Sequence, residues 1–326
     1  MGIKHLTKFI KQKAPDGIKQ KNLDEYGGNT FAVDTSIFLY KFKYNNKFLE
    51  SFINFICHFH KKNIGLIFIF DGKPPEEKST VLENRKLVIK NNKNKIEEKK
   101  KELLENAENK EELEKCITKL EKRDINITRQ DIINLKHLFD IFCVKYIQAK
   151  CEADILCCNL YKQGLVQGCI SNDMDFLASG CNILIRDYCF SDTITEYNLE
   201  VILDKLEYSM EQFVDLCILF GCDYTTTIKK VGMVRSSEFI KKLKTIEKII
   251  EQYGKKYNVT KEFNYVSARK LLTQNLEIEK TLKDYINKNI KIDNKIFSEE
   301  NKQFLKENSK INLVKFQKKW EDYFKV

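Results

Sequence analysis

The chain has 326 residues, with 57 Lys or Arg against 47 Asp or Glu, which gives a formal net charge of +10. This length accommodates one large domain with an appended module. The basic surplus suits a polyanionic partner, although solubility alone explains it equally well on composition. No apolar run approaches a membrane span, the amino terminus lacks an apolar signal region, and Leu6 stands where N-myristoylation needs Ser or Thr. We therefore expect an intracellular protein that is not inserted in a membrane.

Cysteine and histidine usage argues against two further classes of protein. The eleven cysteines are odd in number and scattered, and no C-x-x-C occurs, which is typical of reduced intracellular thiols rather than a disulfide framework. The four histidines have no paired Cys/His spacing. The sequence therefore predicts no structural zinc site.

Short strand-like runs alternate with helical stretches through much of the chain. The predicted strands are 31–34, 65–70, 144–148, 166–171 and 182–187, and the predicted helices between them are 47–62, 131–142, 152–162 and 173–179. This rhythm is typical of an α/β protein with a mostly parallel central sheet flanked by helices on both faces.

Two other helical regions are predicted. The charged insertion 76–129 has apolar residues at helical spacing, which favours two helices with narrow apolar stripes; these residues are Ile96, Leu103, Leu104, Leu113, Ile117 and Leu120. Ser209 is a good N-cap for a buried helix over 210–220, and Gly221 is a good residue to end it. Beyond about residue 256 the Lys- and Asn-rich sequence is only weakly informative.

Seven acidic residues lie mostly where apolar runs end: Asp34, Asp71, Glu152, Asp154, Asp173, Asp175 and Asp223. The carboxyl ends of parallel strands share one edge of a sheet, where ligands bind. One Asp after a strand is usually an N-cap or turn residue, but four strand ends sharing the feature favour a joint role. Carboxylates gathered there repel one another unless divalent cations lie among them. Two Mg²⁺ ions could clamp the attacking and leaving oxygens of a phosphoryl displacement.

Six motifs follow one another in chain order around these acids. They are Met1-Gly2-Ile3, Val33-Asp34, Phe70-Asp71-Gly72-Lys73-Pro74-Pro75, Cys151-Glu152-Ala153-Asp154, Asn172-Asp173-Met174-Asp175 and the stretch from Gln212 to Tyr224. Together they resemble the successive motifs of the flap endonuclease (XPG) family over about residues 1–250. The resemblance implies a PIN-like nuclease domain and a metal-dependent 5′ nuclease that cuts DNA at junctions between single and double strands.

The resemblance also divides the acids between two Mg²⁺ ions, for which Mn²⁺ is a substitute. One ion would be held by Asp34, Asp71, Glu152 and Asp154, and the other by Asp173, Asp175 and Asp223, some of them through water. Asp154 stands where the family usually has Glu, so its side chain is shorter by one methylene.

Two basic residues and one aromatic residue complete the expected catalytic region. Lys78 and Arg85 are seven residues apart, so two helical turns bring them to one face, directed toward the metals. They match the family's phosphate-contacting pair, whereas a solvated basic face is the alternative. Tyr40 stands where the family stacks a ring on a base near the cut, an interaction of about 1–3 kcal/mol. Packing of Tyr40 in the core is the alternative.

The resemblance divides the chain into five parts. Residues 1–75 and 130–224 form the nuclease domain, 76–129 a helical gateway and cap, 225–255 a helix-two-turn-helix module, and 256–326 a helical carboxyl-terminal region. The cap would admit a single-stranded 5′ end, with a solvated hairpin as the alternative reading. The helix-two-turn-helix would grip duplex phosphates and bind K⁺, yet Lys230 replaces the first glycine of the expected Gly-x-Gly. The expected DNA-binding residues are Gly2, Tyr40, Lys229, Lys230, Gly232 and Arg235.

The end of the chain resembles the sliding-clamp-binding box of these enzymes. The residues concerned are Gln317, Trp320, Tyr323 and Phe324, with Trp320 where Leu, Ile or Met is usual. The same residues also make an ordinary amphipathic helix face, which favours packing against the protein itself.

The predicted function is that of a Mg²⁺-dependent 5′ flap endonuclease and 5′ to 3′ exonuclease in DNA replication or repair. Its partners would be branched DNA and a sliding clamp, it would be a monomer, and it would act in the nucleus or another compartment of DNA replication, including a viral factory. Two rivals are open: a junction resolvase or RNase on the same scaffold, and a DNA-binding scaffold without catalysis. Retention of all seven acids argues against the second.

Overall fold

The structure is a computed structural model that describes residues 2–44, 47–105, 110–121, 125–288, 294–309 and 311–324, with the side chains of 104, 105, 294, 295, 319 and 321–324 left out. The strands in this part of the chain are β1 (Ile18–Asn22), β2 (Thr30–Asp34), β3 (Gly65–Phe70), β4 (Lys145–Gln148), β5 (Gly168–Ile170), β6 (Ile183–Arg186) and β7 (Thr193–Asn198).

The helices that flank these strands are also given for the described residues only. They are α1 (Leu6–Lys13), α2 (Thr35–Tyr44), α3 (Phe48–Lys61), α4 (Ser79–Glu105), α5 (Lys110–Glu121), α6 (Arg129–Ile141), α7 (Ala153–Lys162), α8 (Asp175–Ala178), α9 (Leu199–Leu206), α10 (Met210–Phe220), α11 (Met233–Leu243), α12 (Ile246–Tyr253), α13 (Tyr265–Leu272), α14 (Lys280–Asn287), α15 (Glu299–Asn308) and α16 (Leu313–Phe324). Among them, no helix has the length and apolar character needed to cross a bilayer.

The strands form one sheet in the order β1-β7-β6-β5-β2-β3-β4. The five strands from β6 to β4 are parallel, and β7 and β1 add an antiparallel edge. The predicted α/β fold with a mostly parallel sheet is therefore confirmed. Because β2 lies between β5 and β3, the chain order changes direction beside it, and such a switch point is where open α/β sheets bind ligands.

The central strands are apolar on both faces, as parallel strands covered by helices require. In β3, Phe68 belongs to one buried cluster, while Ile67 and Ile69 belong to another. Successive strand residues point to opposite faces of a sheet, so each face has its own core. The Phe68 side is rich in aromatic rings, because α3 directs Phe52 and Phe55 onto it.

Most predicted elements are present, and the differences follow from long-range pairing. The predicted strands correspond to β2 through β6, and the helix from Ser209 begins with a capping box that involves Gln212. The prediction missed β1 and β7, whose sequences IKQKN and TITEYN are mostly polar. Their pairing with each other, rather than a local apolar pattern, makes them strands. The predicted helix 173–179 is a single turn, α8.

The insertion contains two helices, as predicted. Helix α4 packs along α5, with Ile96, Leu113 and Ile117 buried between them. Lys100 of α4 pairs with Glu121 of α5 at 2.6 Å. The narrow apolar stripe joins the two helices, while most other described side chains of α4 are exposed.

Candidate metal centre

The seven acids converge on the carboxyl edge of the sheet. Asp34 ends β2, and Asp71 follows the last residue of β3. Glu152 and Asp154 lie at the start of α7, after β4, and Asp173 and Asp175 follow β5. Asp223 follows α10 instead, which brings it to the same place from outside the sheet. Six of the seven line one cavity of about 460 Å³, and Asp175 lies buried beside Asp173.

Two serines hold the first pair of acids in place. The Ser171 hydroxyl donates to Asp34 at 3.1 Å, and the Ser36 backbone N–H donates to its other oxygen. The Ser36 hydroxyl donates to Asp71 at 2.5 Å, while the Ala153 N–H at the start of α7 donates to the second Asp71 oxygen at 2.8 Å. Both carboxylates therefore have fixed orientations before any ligand arrives.

Glu152 and Asp223 hold the two basic residues expected to contact phosphate. Lys78 donates to Glu152 Oε1, and the Tyr224 hydroxyl donates to Oε2 at 3.0 Å. Arg85 pairs with Asp223 at 2.7 Å, and Lys78 Nζ lies 3.9 Å from the same carboxylate. Burial alone would lower the pKa of Lys78, but the charge of Glu152 outweighs it, so the pKa is raised and the amine stays protonated.

The remaining pair, Asp173 and Asp175, lies against the amino-terminal loop. The Asp175 N–H donates to Asp173 Oδ1 at 3.1 Å, which folds the two acids together. A Cβ on Gly2 would lie 1.8 Å from Asp173 Oδ1 and 2.6 Å from Asp175 Oδ1. Gly2 also has φ +85°, a conformation that favours glycine. The backbone at residue 2 can approach these carboxylates only because it has no side chain.

Burial and mutual repulsion disfavour the charged forms of three acids of this centre. Burial, followed by the charge of Asp71, raises the pKa of Asp34 to about 7. Burial likewise raises the pKa of Asp154, with Glu152 as the next cause, and that of Asp175, with Asp173 as the next cause. In the described part of the chain, Asp175 Oδ1 is a buried oxygen with no hydrogen-bond donor. A cation among these oxygens would stabilise the charged forms of these three acids.

The donor set fits hard divalent cations. Carboxylate oxygens are the ligands that Mg²⁺ prefers, and Mg²⁺ keeps several waters while binding a protein through one or two carboxylates. Among the described residues, no group of three or more His, Cys, Asp or Glu side chains is already placed to hold a metal ion.

Comparison with known proteins gives the family. The XPG N-terminal domain model matches residues 1–92, and the XPG I-region model matches residues 143–223. Flap endonuclease 1 of Entamoeba dispar is 33% identical over 300 residues, which cover 83% of this chain and 75% of that protein. The chain belongs to the flap endonuclease (XPG) family. Members of this family are metal-dependent nucleases, in keeping with the carboxylate cavity.

Solved structures show the same fold at lower sequence identity. The catalytic core of Rad2 in complex with DNA substrate is similar with a TM-score of 0.66 at 20% identity, over 100% of both chains. Flap endonuclease-1 from Methanococcus jannaschii is similar with a TM-score of 0.65 at 19% identity, over 94% of this chain and 95% of that one. The family fold thus extends beyond the two segments that the family models match.

The other residues expected to contact DNA lie in two places, one at the cavity and one away from it. Tyr40 on α2 is 51% exposed and lines the cavity beside Arg85, which excludes the alternative of a core tyrosine. Lys229, Lys230, Gly232 and Arg235 are all exposed between the end of α10 and the first turns of α11. They form a separate basic surface in the same flap endonuclease fold, and their contact with DNA remains a prediction.

The turn that carries Lys230 does not fit a monovalent cation well. The Val231 N–H donates to the Ile228 carbonyl at 3.1 Å, and Lys230 has φ 66°, a value that favours Gly in such a turn. Arg235 reaches back from α11 and donates to the Lys230 carbonyl at 2.5 Å. A permanent positive charge thus already occupies a carbonyl oxygen that a cation could otherwise use.

The residues of the clamp-binding motif lie on α16, which packs against the protein. Trp320 is 4% exposed, and its ring contacts Phe142, with centroids 5.4 Å apart, and also Phe316. Gln317 is partly buried, and the side chains of Tyr323 and Phe324 lie outside those that the structure describes. In this arrangement the indole is part of a core, as the amphipathic pattern favoured.

Three contributors to the centre had no role in the sequence prediction. Ser36 and Ser171 orient Asp34 and Asp71, and Tyr224 orients Glu152. A weak signal existed in each case, since all three residues lie within two positions of a predicted acid or of a strand end. That signal is common in turns, so only the tertiary contacts single out these residues.

Proposed function

We propose that this chain is a structure-specific DNA endonuclease that removes 5′ flaps and also degrades DNA from 5′ ends, in replication or repair. The observation that carries the proposal is the single cavity that gathers carboxylates from five separate segments, with Lys78 paired to Glu152 and Arg85 paired to Asp223. Membership of the flap endonuclease family supports the same reaction. A polyanionic substrate also suits the net charge of +10.

Two Mg²⁺ ions are the proposed cofactors, with Mn²⁺ as a substitute. Asp34, Asp71, Glu152 and Asp154 would hold one ion, and Asp173, Asp175 and Asp223 the other, some of them through water. When bound, such a pair neutralises charge on a phosphodiester and lowers the pKa of a bound water. The methylene that Asp154 lacks relative to the usual Glu is consistent with a contact through water.

The basic residues of the cavity would bind the scissile phosphate. Lys78 and Arg85 currently neutralise Glu152 and Asp223. Once metal ions balance those acids, both cations are available to donate to phosphate oxygens. Arg85 can do so with two parallel N–H groups and Lys78 as a point charge. Tyr40, exposed at the rim of the same cavity, would stack on a base next to the cut.

The remaining parts of the chain would position branched DNA. Residues 76–129 would form the gateway and cap through which a single-stranded 5′ end passes, and 225–255 would hold duplex phosphates through Lys229 and Lys230. We propose that Arg235, rather than K⁺, supplies the positive charge at the Lys230 carbonyl. The division of the remaining chain at 75, 130 and 256 is part of the same proposal.

Clamp binding and location are further parts of the prediction. Binding of a sliding clamp through Gln317 and Trp320 would require the Trp320 ring to leave its contacts with Phe142 and Phe316. The motif is therefore usable only if the end of α16 detaches. Action as a monomer in a nucleus or another compartment of DNA replication also remains a prediction.

A cleavage panel tests the proposed function. Purified protein with Mg²⁺ should cut labelled 5′ flap DNA faster than a four-way junction or RNA of the same sequence, and EDTA should stop all cleavage. Asp173→Asn should lose activity, while Asp204→Asn, an exposed acid on α9 outside the cavity, should retain it.

Each other result points to a specific rival. Faster cleavage of four-way junctions or of RNA would favour a resolvase or RNase. Binding of flap DNA without cleavage in Mg²⁺ or Mn²⁺, with Asp173→Asn identical to the wild-type protein, would show a DNA-binding scaffold instead.

A further inference from the structure

A second cavity opens directly beside the metal centre. It has a volume of about 1220 Å³ and lies between α2, α4 and the loop after α10. The two cavities share Tyr40, Arg85 and Asp223 in their walls. Whatever occupies the second cavity is therefore continuous with the substrate bound at the acids.

The walls of this cavity combine exposed apolar groups with positive charge. Tyr40 and Tyr44 are 51% and 48% exposed on α2, and Val88 and Ile89 are 58% and 47% exposed on α4. Exposed apolar groups gathered in one place usually mark a binding site. Three lysines lie in the same walls, namely Lys4, Lys41 and Lys93. Aromatic side chains next to lysines are suited to binding a single-stranded nucleic acid. The bases of such a strand stack on the rings, and its phosphates pair with the lysines.

Tyr44 adds a second ring to the one at Tyr40. The two residues are four apart on α2, so they lie on one face of the helix, about 6 Å apart along its axis. That separation exceeds the roughly 3.4 Å between stacked bases in a strand. Each ring therefore has room for a separate base, provided that the strand is unstacked between them.

We infer that Tyr44 is a positioning residue for the strand being cut, and that Tyr40 and Tyr44 each hold one of two consecutive unpaired bases. Tyr40 lies in both cavities, whereas Tyr44 lies only in the second. The base on Tyr44 would thus be one step further from the metal centre. The apolar face of α4 at Val88 would cover the base from the other side. The inference rests on the proposed function, since it assigns the part of that substrate beyond the cut.

Abasic substrates test this assignment. Fluorescence anisotropy in EDTA would measure binding of 5′ flap DNAs that carry an abasic site at the first or the second unpaired nucleotide. Loss of the base that stacks on Tyr44 should weaken wild-type binding by roughly 5- to 150-fold. Tyr44→Ala should weaken binding of the intact flap by a similar factor and should no longer respond to that abasic site. Tyr44→Phe should behave like the wild-type protein.

Controls separate the inference from the proposed function and from misfolding. Val314→Ala changes a residue that is 82% exposed on α16, outside this cavity, and should bind every substrate like the wild-type protein. Equal sensitivity of Tyr44→Ala and wild-type protein to both abasic sites would overturn the inference. If the wild-type protein cut no flap in Mg²⁺, the proposed function would fail, while the binding data would still decide whether Tyr44 holds a base.

Discussion

Three single residues, Gly2, Ser36 and Ser171, set the positions of the acids through close contacts and hydrogen bonds. Gly2 brings backbone against Asp173 and Asp175, where any side chain would overlap their oxygens. Ser36 and Ser171 use their hydroxyls to fix two acids that would otherwise repel each other. The result is a set of carboxylates held close together at a cost in stability, which bound cations would recover.

Asp175→Asn should separate the stability of this centre from its activity. The substitution removes one buried negative charge, so the metal-free protein should gain on the order of 1–3 kcal/mol in free energy of unfolding. Cleavage of 5′ flap DNA should fall by more than about 100-fold, because the metal site loses a ligand or its support. Urea unfolding in EDTA and single-turnover cleavage measure the two effects. A less stable variant would contradict the account of repulsion.

Arg235 leads to a prediction about salts. Because its guanidinium occupies the Lys230 carbonyl, duplex DNA should bind equally well in KCl and in tetramethylammonium chloride at the same ionic strength. Arg235→Ala should weaken duplex binding in both salts, whereas Glu238→Ala, an exposed neighbour on the same helix, should not. Anisotropy titrations provide the measurement. Tighter wild-type binding in K⁺ alone would restore the cation to this turn.

At the scale of elements, buried ionic contacts join the helices around the nuclease sheet. Asp215 on α10 is buried and accepts from both Arg269 of α13 and the Ile246 N–H at the start of α12. Arg269 also pairs with Glu247 at 2.8 Å. One carboxylate thus fixes α12 and α13 against the helix that leads to Asp223.

Arg269→Met should destabilise the protein by about 3 kcal/mol, because it leaves the Asp215 carboxylate buried without its cation. Lys270→Met, at the exposed neighbouring position, should have little effect. The double variant Asp215→Asn with Arg269→Met should recover part of the loss, since no unpaired charge remains. Chemical denaturation of the three variants measures these differences. Equal stability of Arg269→Met and Lys270→Met would show that the contact contributes nothing.

His60 lies in the last turn of helix α3, and its partial burial makes stability depend on pH. Burial lowers the pKa of His60 in the folded state below its usual 6.5. Below about pH 6.5 the unfolded chain binds a proton at this residue that the folded chain does not. Stability should therefore fall as the pH drops from about 6.5 toward the folded-state pKa.

His60→Gln should remove that part of the pH dependence, and Lys61→Gln, at the adjacent exposed position, should retain it. Thermal unfolding between pH 7.5 and 5 would compare the slopes. Parallel curves for the wild-type protein and His60→Gln would show that another group is responsible.

At the scale of the whole molecule, folding itself brings mutually repelling acids together. Six of the seven acids lie at or shortly after the carboxyl ends of β2 to β5, and Asp223 follows the carboxyl end of α10. In the unfolded chain these residues are far apart and bind Mg²⁺ weakly. Metal binding should therefore favour the folded state.

Mg²⁺ should raise the unfolding temperature of the whole protein. At a concentration 100 times the dissociation constant, binding contributes about 2.7 kcal/mol, which corresponds to several degrees for a chain of this size. EDTA should reverse the increase, and the double variant Asp173→Asn with Asp175→Asn should show a smaller one. Calorimetry with and without Mg²⁺ measures it. An unchanged wild-type midpoint would argue against a metal site at this edge.

The sequence determined those features that local pattern specifies. The sequence predicted the apolar runs of β2 and β3, the capping box from Ser209 and the acids at the ends of strands. These features were predictable because hydrophobic periodicity, helix caps and strand ends each depend on residues that are close in sequence. The family motifs further predicted that these acids form one metal site. In parallel sheets the ends of strands must meet at one edge, so the convergence of the acids also followed.

Only the tertiary structure decided which distant groups meet. The polar strands β1 and β7 exist because they pair with each other, as in the register of Ile18 with Tyr197. The hydroxyls that orient each acid, the Arg235 contact to the Lys230 carbonyl and the burial of Trp320 also join residues with no local pattern between them. Such contacts depend on the packing of the complete chain, which no short window of sequence contains.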